Sequence, residues 1–264
     1  MKSNLLKKLV SGLGVALSVI TVAAQAQTLP QVGLLVPAYF YPGTDSTDWN
    51  RLSIAATQVP VMAVMNPNSG PGKAPDSNYT AAITSFDAAG GSTLGYIHTS
   101  YGYRSLAAVE KEVSEYFAWY PIDGIFIDEM ASTATPKALK YYKAVKDYIR
   151  SVYPAAIIVA NPGTSFDQAF ATTKVADIFV DEEDTETNVN ATTQAAWEQG
   201  QPATLFAEIA VQSSDDAQEA TFLASRHLAW VYSTALALNP DPYAALPADF
   251  EQEVAALVSV NGLR

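Results

Sequence analysis

Asp128 and Glu129 end the stretch Asp123-Gly124-Ile125-Phe126-Ile127-Asp128-Glu129-Met130. Ile125, Phe126 and Ile127 read as a short strand buried on both faces, and an unpaired carboxylate inside such a strand costs roughly several kcal/mol or more. The two acids therefore belong at or beyond the strand's C-terminal end, where parallel α/β folds open their ligand crevice or barrel mouth. A second acidic run, Asp181-Glu182-Glu183-Asp184, follows another apolar strand. Two carboxyl groups at one opening suit acid–base work, one giving a proton while the other attacks or activates water. Side chains alternate along a strand, so Asp128 and Glu129 share the opening only if the backbone turns between them. By the same alternation Asp181 and Glu183 fall on one face, Glu182 and Asp184 on the other.

The elements that must position these acids alternate along the chain. Strands are predicted at residues 32–41, 59–65, 94–98, 124–128, 156–160, 175–180, 204–209 and 228–232. Helices are predicted at 45–57, 77–89, 105–119, 135–152, 166–171, 192–198, 215–224 and 247–259, with no composition break that marks a linker. Eight strand–helix units in one domain predict a (β/α)8 barrel of the TIM type. A doubly wound open sheet is the other candidate, but the phosphate-binding Gly-x-Gly-x-x-Gly that favours it is missing after the first strand, which ends in Tyr39-Phe40-Tyr41-Pro42.

The first 26 residues stand apart. Lys2, Lys7 and Lys8 precede an apolar stretch and the cleavage signal Ala24-Gln25-Ala26, the pattern of a secretory signal peptide. This leaves residues 27–264 as the barrel domain, exported to the periplasm or the outside, and no other stretch approaches the roughly 20 apolar residues of a membrane span. The formal charge of −12 becomes more negative without those lysines, which argues against nucleic acid or an anionic membrane as partner. The chain has no cysteine, so neither disulfides nor thiolate chemistry enter. No contact surface is predicted that calls for more than a monomer.

A barrel gathers the residues after its strands at one rim: Tyr39 and Tyr41, Asn66, His98 and Tyr101, Asp128 and Glu129, Asn161, Asp181 to Glu183, Glu208 and Tyr232. Flat rings that stack on pyranose faces, with amides and acids that take hydroxyls, make a sugar site. Asp128, Glu129 and Glu183 are the candidate catalytic acids, while Tyr39, Tyr41, Asn66, His98, Tyr101, Asn161 and Glu208 are candidate substrate contacts. His98 and His227 are the only histidines, and His227 falls outside a barrel's mouth, so no metal site is expected. The run 181–184 lacks the spacing and turn glycine of a calcium loop. No cofactor is expected.

Several of these pieces resemble the spherulin-4-like family of extracellular glycoside hydrolases: Val36-Pro-Ala-Tyr-Phe-Tyr-Pro42, Asn66-Pro-Asn-Ser-Gly-Pro-Gly72, Gly95-Tyr-Ile-His-Thr-Ser-Tyr-Gly102, the Asp123–Glu129 stretch, Asn161-Pro-Gly163 and Ala176-Asp-Ile-Phe-Val180. The resemblance implies a (β/α)8 barrel and an endo-acting hydrolase of galactosamine-containing exopolysaccharide, of the α-1,4-N-acetylgalactosamine type. It places the family's Asp-Glu pair on Asp128 and Glu129 and its third acid on Glu183. A one-residue slip would choose Glu182, and Glu208 stands as a further contact or the true partner. A non-catalytic carbohydrate-binding barrel and a polygalactosaminidase of different linkage preference remain the competing readings.

Overall fold

The computed structural model describes residues 29–43 and 46–264. The predicted signal peptide lies outside the described residues. Eight parallel strands close into a barrel in sequence order: β1 (Gly33–Ala38), β2 (Val61–Met65), β3 (Ser92–His98), β4 (Gly124–Asp128), β5 (Ile157–Ala160), β6 (Ile178–Thr185), β7 (Phe206–Val211) and β8 (Trp230–Thr234). The outer layer is α1 (Thr47–Ala56), α2 (Ser77–Ala88), α3 (Leu106–Trp119), α4 (Pro136–Val152), α5 (Gln168–Thr173), α6 (Glu186–Ala191), α7 (Asp216–Ala224) and α8 (Phe250–Asn261). The expected single (β/α)8 domain is present.

Local sequence explains where the helices start. The side chains of Asp76, Ser105, Thr135 and Asp215 each accept a backbone N–H in the first turn that follows, and Pro136 occupies a position where its missing N–H costs nothing. Gly124 has a different task. A Cβ there would sit 2.0 Å from the carbonyl oxygen of Ile157, so only glycine lets β4 start this close to β5. The strands are almost wholly apolar below the rim because the barrel covers both faces.

Two expectations change on the β6 side. Strand β6 starts at Ile178 and runs through the acidic residues to Thr185, rather than ending at residue 180. The helix expected at 192–198 is instead α6, ending at Ala191, and Glu198–Gly200 form only a 3-10 turn. A run of four acids resembles a loop, but pairing with β7 satisfies its backbone and keeps it extended. Thr192 is itself extended, which ends the helix before the predicted segment begins.

The pairing of β6 with β7 also contains an extra residue. Phe179 pairs with Phe206 and Val180 with Ala207, yet Glu208 pairs with Glu182 and Ile209 with Glu183. Asp181 is the unpaired residue of a bulge, and a bulge shifts the alternation of everything after it. Asp181 and Glu183 therefore do not share a face, contrary to strict alternation. Phe206 packs on Trp197 and His227 in the outer layer, so Glu208, two residues on, points outward as well, with its partner Glu182. Glu183 is turned into the lumen.

Candidate active site

Tyr96 of β3 and Phe126 of β4 are paired in register and stack with ring centroids 6.4 Å apart, which places Asp128 and His98 one step higher on the same face. Asp128 accepts two side-chain donors: the Tyr96 hydroxyl at 2.7 Å and the Asn161 amide at 3.0 Å. Asn161 is fixed by its own backbone. Its N–H donates to Ile127 and its carbonyl accepts from Met130, extending the β4–β5 ladder past the end of β5. Gly163 then exchanges bonds with Val180 and Glu183, so the short turn 161–163 bridges β5 and β6 at the rim. Gly163 has φ +63°, and an added Cβ would lie 3.5 Å from the Asn161 side-chain oxygen and 3.7 Å from Glu183 Cβ.

The Asn161 Nδ2 donates to Glu183 Oε2 at 2.5 Å as well as to Asp128 Oδ1. With the two bonds laid end to end, those oxygens lie at most about 5.5 Å apart. The second oxygen of Glu183 accepts from the Tyr243 hydroxyl. Tyr39 stands between, edge-on to Tyr96 at 5.5 Å and to Tyr243 at 5.4 Å. Each acid is thus held at both oxygens, and a tyrosine wall covers the side from β3 round to the segment after β8.

Burial pushes the carboxyl of Asp128 up, Tyr96, the Glu129 N–H and Asn161 pull it back, and the neighbouring Glu129 charge adds to the rise. Burial also pushes Glu183 up, Asp128 pushes it further, and only the side chains of Tyr243 and Asn161 oppose the rise. Both carboxyls are thus raised by burial, and Glu183 is raised further by the Asp128 charge beside it.

Glu129 has φ +50°, so the backbone does turn between the two adjacent acids. The turn carries Glu129 towards His98, whose Nδ1 lies 3.2 Å from Glu129 Oε2. The loop after β3 supports this geometry. Ser100 and Tyr101 are also left-handed, Tyr101 N–H donates to the Glu129 carbonyl at 2.7 Å, and the Thr99 hydroxyl donates to the same carbonyl. Three non-glycine residues in this conformation at one rim represent backbone strain of about 1–3 kcal/mol each, held by those bonds. Arg104 pins the loop from below, bonding the His98 carbonyl and making a two-pronged pair with Glu112.

The remaining predicted residues sit elsewhere. Tyr101 is exposed and lines a recess of about 320 Å³ beyond Glu129, shared with Tyr103, Ser132, Thr133 and Lys137. Tyr41 is exposed at the α2 side, its hydroxyl bonded to Asp76 and Asn78. Asn66 accepts the Gly70 N–H and so shapes its own loop. Tyr232 is fully buried in the barrel. Glu208, considered as a substrate contact or partner acid, is fully buried on the outer side and pairs with Arg226 at 3.1 Å. Tyr96 and Tyr243 were not among the predicted site residues. Tyr96 was discoverable, because it alternates in phase with His98, but Tyr243 lies in the irregular segment before α8, where no periodicity marks it.

A family model described as spherulation-specific family 4 matches residues 33–257. The chain belongs to the Spherulin4 family. Among the family's relatives is Spherulin-4 of Physarum polycephalum, 40% identical over 142 residues, which are 53% of this chain and 41% of that protein. The match thus spans less than half of the relative's length. Of solved structures, Aspergillus clavatus Sph3 in complex with GalNAc is similar with TM-score 0.76 and 24% identity, covering 87% of this chain and 98% of that one. The α-L-fucosidase isoenzyme 2 of Paenibacillus thiaminolyticus is similar with TM-score 0.57 and 9% identity, covering 88% and 49%. Both likenesses concern the barrel. No helix among the described residues is long and apolar enough to cross a membrane.

Proposed function

We propose that this Spherulin4 barrel is an exported, endo-acting glycoside hydrolase of a galactosamine-containing polysaccharide, of the α-1,4-N-acetylgalactosamine type. The observation that carries the reading is the Asp128–Asn161–Glu183 bridge. Two carboxyl groups whose bridged oxygens lie no more than about 5.5 Å apart fit the close spacing of a retaining glycosidase, in which one attacks the anomeric carbon and the other serves the leaving oxygen. Asp128, held at its two oxygens by Tyr96 and Asn161, is the nucleophile. Glu183, raised by burial and by Asp128 beside it, protonates the leaving group and then deprotonates the incoming water. Glu129 and His98 contact sugar hydroxyls beside the scissile bond. The tyrosine wall of Tyr39, Tyr96 and Tyr243 supplies apolar faces for the ring.

The substrate class rests on the family membership and on the likeness to a barrel solved with GalNAc. The acidic balance of the chain suits a partly deacetylated, cationic polymer. Reducing-end release from galactosaminogalactan, a Pel-type polymer and chitin tests the reading, with Asp128→Asn measured beside the natural protein. Release from a galactosamine polymer that drops about 10³-fold or more in the variant, with polymer binding kept, supports hydrolysis by this pair. Binding without release in both proteins would make the barrel a carbohydrate-binding module instead.

A further inference from the structure

Behind β6 and β7, between the barrel and α6, lies a second group of acids that the proposed reaction does not use. Asp181 and Glu182 reach it from β6, Glu208 from β7 and Glu198 from the 3-10 turn, and all four are buried. The basic side chains facing them are Arg226 and the His227 ring, from the link between α7 and β8, with Asp184 and Glu219 as more distant neighbours. Arg226 pairs with Glu208 at 3.1 Å and donates to the carbonyls of Val189 and Thr192 at the end of α6. The His227 ring meets the Gln201 carbonyl at 2.7 Å. One arginine cannot balance four buried carboxylates in a low dielectric, so part of the group must stay protonated. Asp181 Oδ1 and Glu208 Oε2, the Glu208 oxygen turned away from Arg226, have no polar partner among the described residues, which marks them as the places for protons.

The position of Asp181 makes this group more than a buried curiosity. It is the unpaired residue of the β6 bulge. Without a bulge, the same chain length would turn Glu182 into the lumen and Glu183 out of it. We propose that Asp181 and Glu208, sharing protons around Arg226, hold the bulge in place and thereby select Glu183, rather than Glu182, as the acid that faces Asp128. Asp181 is then a positioning residue, acting through the strand, and never touches substrate. The activity arm of its test rests on the hydrolase reading above, while the stability and structural arms do not.

Burial raises the carboxyls of both Asp181 and Glu208, with the neighbouring acids adding to the rise and Arg226 opposing it. Acids raised in the folded state stabilise it fully below their unfolded value near about pH 4, and that stability is lost as pH rises through the folded values. The test follows thermal unfolding from about pH 5 to about pH 10 for the natural protein, Asp181→Asn and Glu208→Gln, with turnover of galactosaminogalactan measured alongside. The expected result is a midpoint that falls with pH in the natural protein and falls less in each variant, with kcat within about twofold, because each amide mimics the protonated acid. Asp181→Ala is expected to lower kcat by about tenfold or more with little change in KM, and its crystal structure to show Glu182 beside Asn161. Equal pH slopes in all proteins overturn the shared protons. A folded Asp181→Ala protein with Glu183 still beside Asn161 overturns the positioning role. Absence of turnover in every protein, natural one included, overturns the hydrolase reading and leaves the slopes and the crystal structure to decide this one.

Discussion

Strands β6 and β7 separate two groups of acids, a half-buried pair at the lumen and a buried group behind the strands, that differ in what surrounds them. On the lumen side, Asp128 and Glu183 have every oxygen supplied with a donor from Tyr96, Asn161 or Tyr243. On the outer side, Asp181 Oδ1 and Glu208 Oε2 have no polar partner among the described residues, and Glu208 Oε1 faces Arg226. The direction of the carboxyl shifts does not tell the groups apart, since all four are pushed up. Orientation of donors does. Neutral amide and phenol donors hold the lumen pair in place without cancelling its charge, leaving it free to exchange a proton with a substrate. The outer group is buried and has its countercharge built in, which suits a fixed structural part.

The comparison is broken most severely by removing the donor the two lumen acids share. Asn161→Ala is expected to reduce kcat by about 10²–10³-fold, because it frees both carboxyls at once, and steady-state turnover on the polymer checks it. A near-normal kcat would mean that the bridge does not organise the pair. Tyr243→Phe has a smaller and more specific effect. The Tyr243 bond lowers the Glu183 carboxyl, so its loss raises that group further and moves the alkaline limb of the pH–rate profile to higher pH. A shift to lower pH would assign that limb to another acid. On the outer side, Glu198→Gln is expected to change turnover by less than about twofold. Burial raises the Glu198 carboxyl, so removing its charge slightly improves thermal stability at alkaline pH, where scanning calorimetry reads it.

The regular parts of the molecule were legible in the sequence. Strand β4 spans the predicted residues because three apolar side chains lead into a charge, and capping residues such as Asp76, Ser105 and Thr135 announce their helices. From those elements the barrel follows, and with it the meeting of Asp128, Glu183, Asn161 and Tyr39. The β6 segment was not legible. Four consecutive acids give no hydrophobic period, so neither the continuation of the strand nor its bulge has a local signal, and the choice between Glu182 and Glu183 depends on pairing with β7. Glu208 was misleading for the related reason that a polar residue in a strand can face the outer layer as readily as the lumen. Tyr243 reaches Glu183 across 60 residues of chain, a contact made by barrel closure alone.

Turnover of galactosaminogalactan by Glu182→Gln and Glu183→Gln, measured side by side, tests the lumen pair most directly. The account predicts that the Glu183 variant loses about 10³-fold or more in kcat while the Glu182 variant stays within a few fold of the natural protein. An inactive Glu182 variant beside an active Glu183 variant would contradict it.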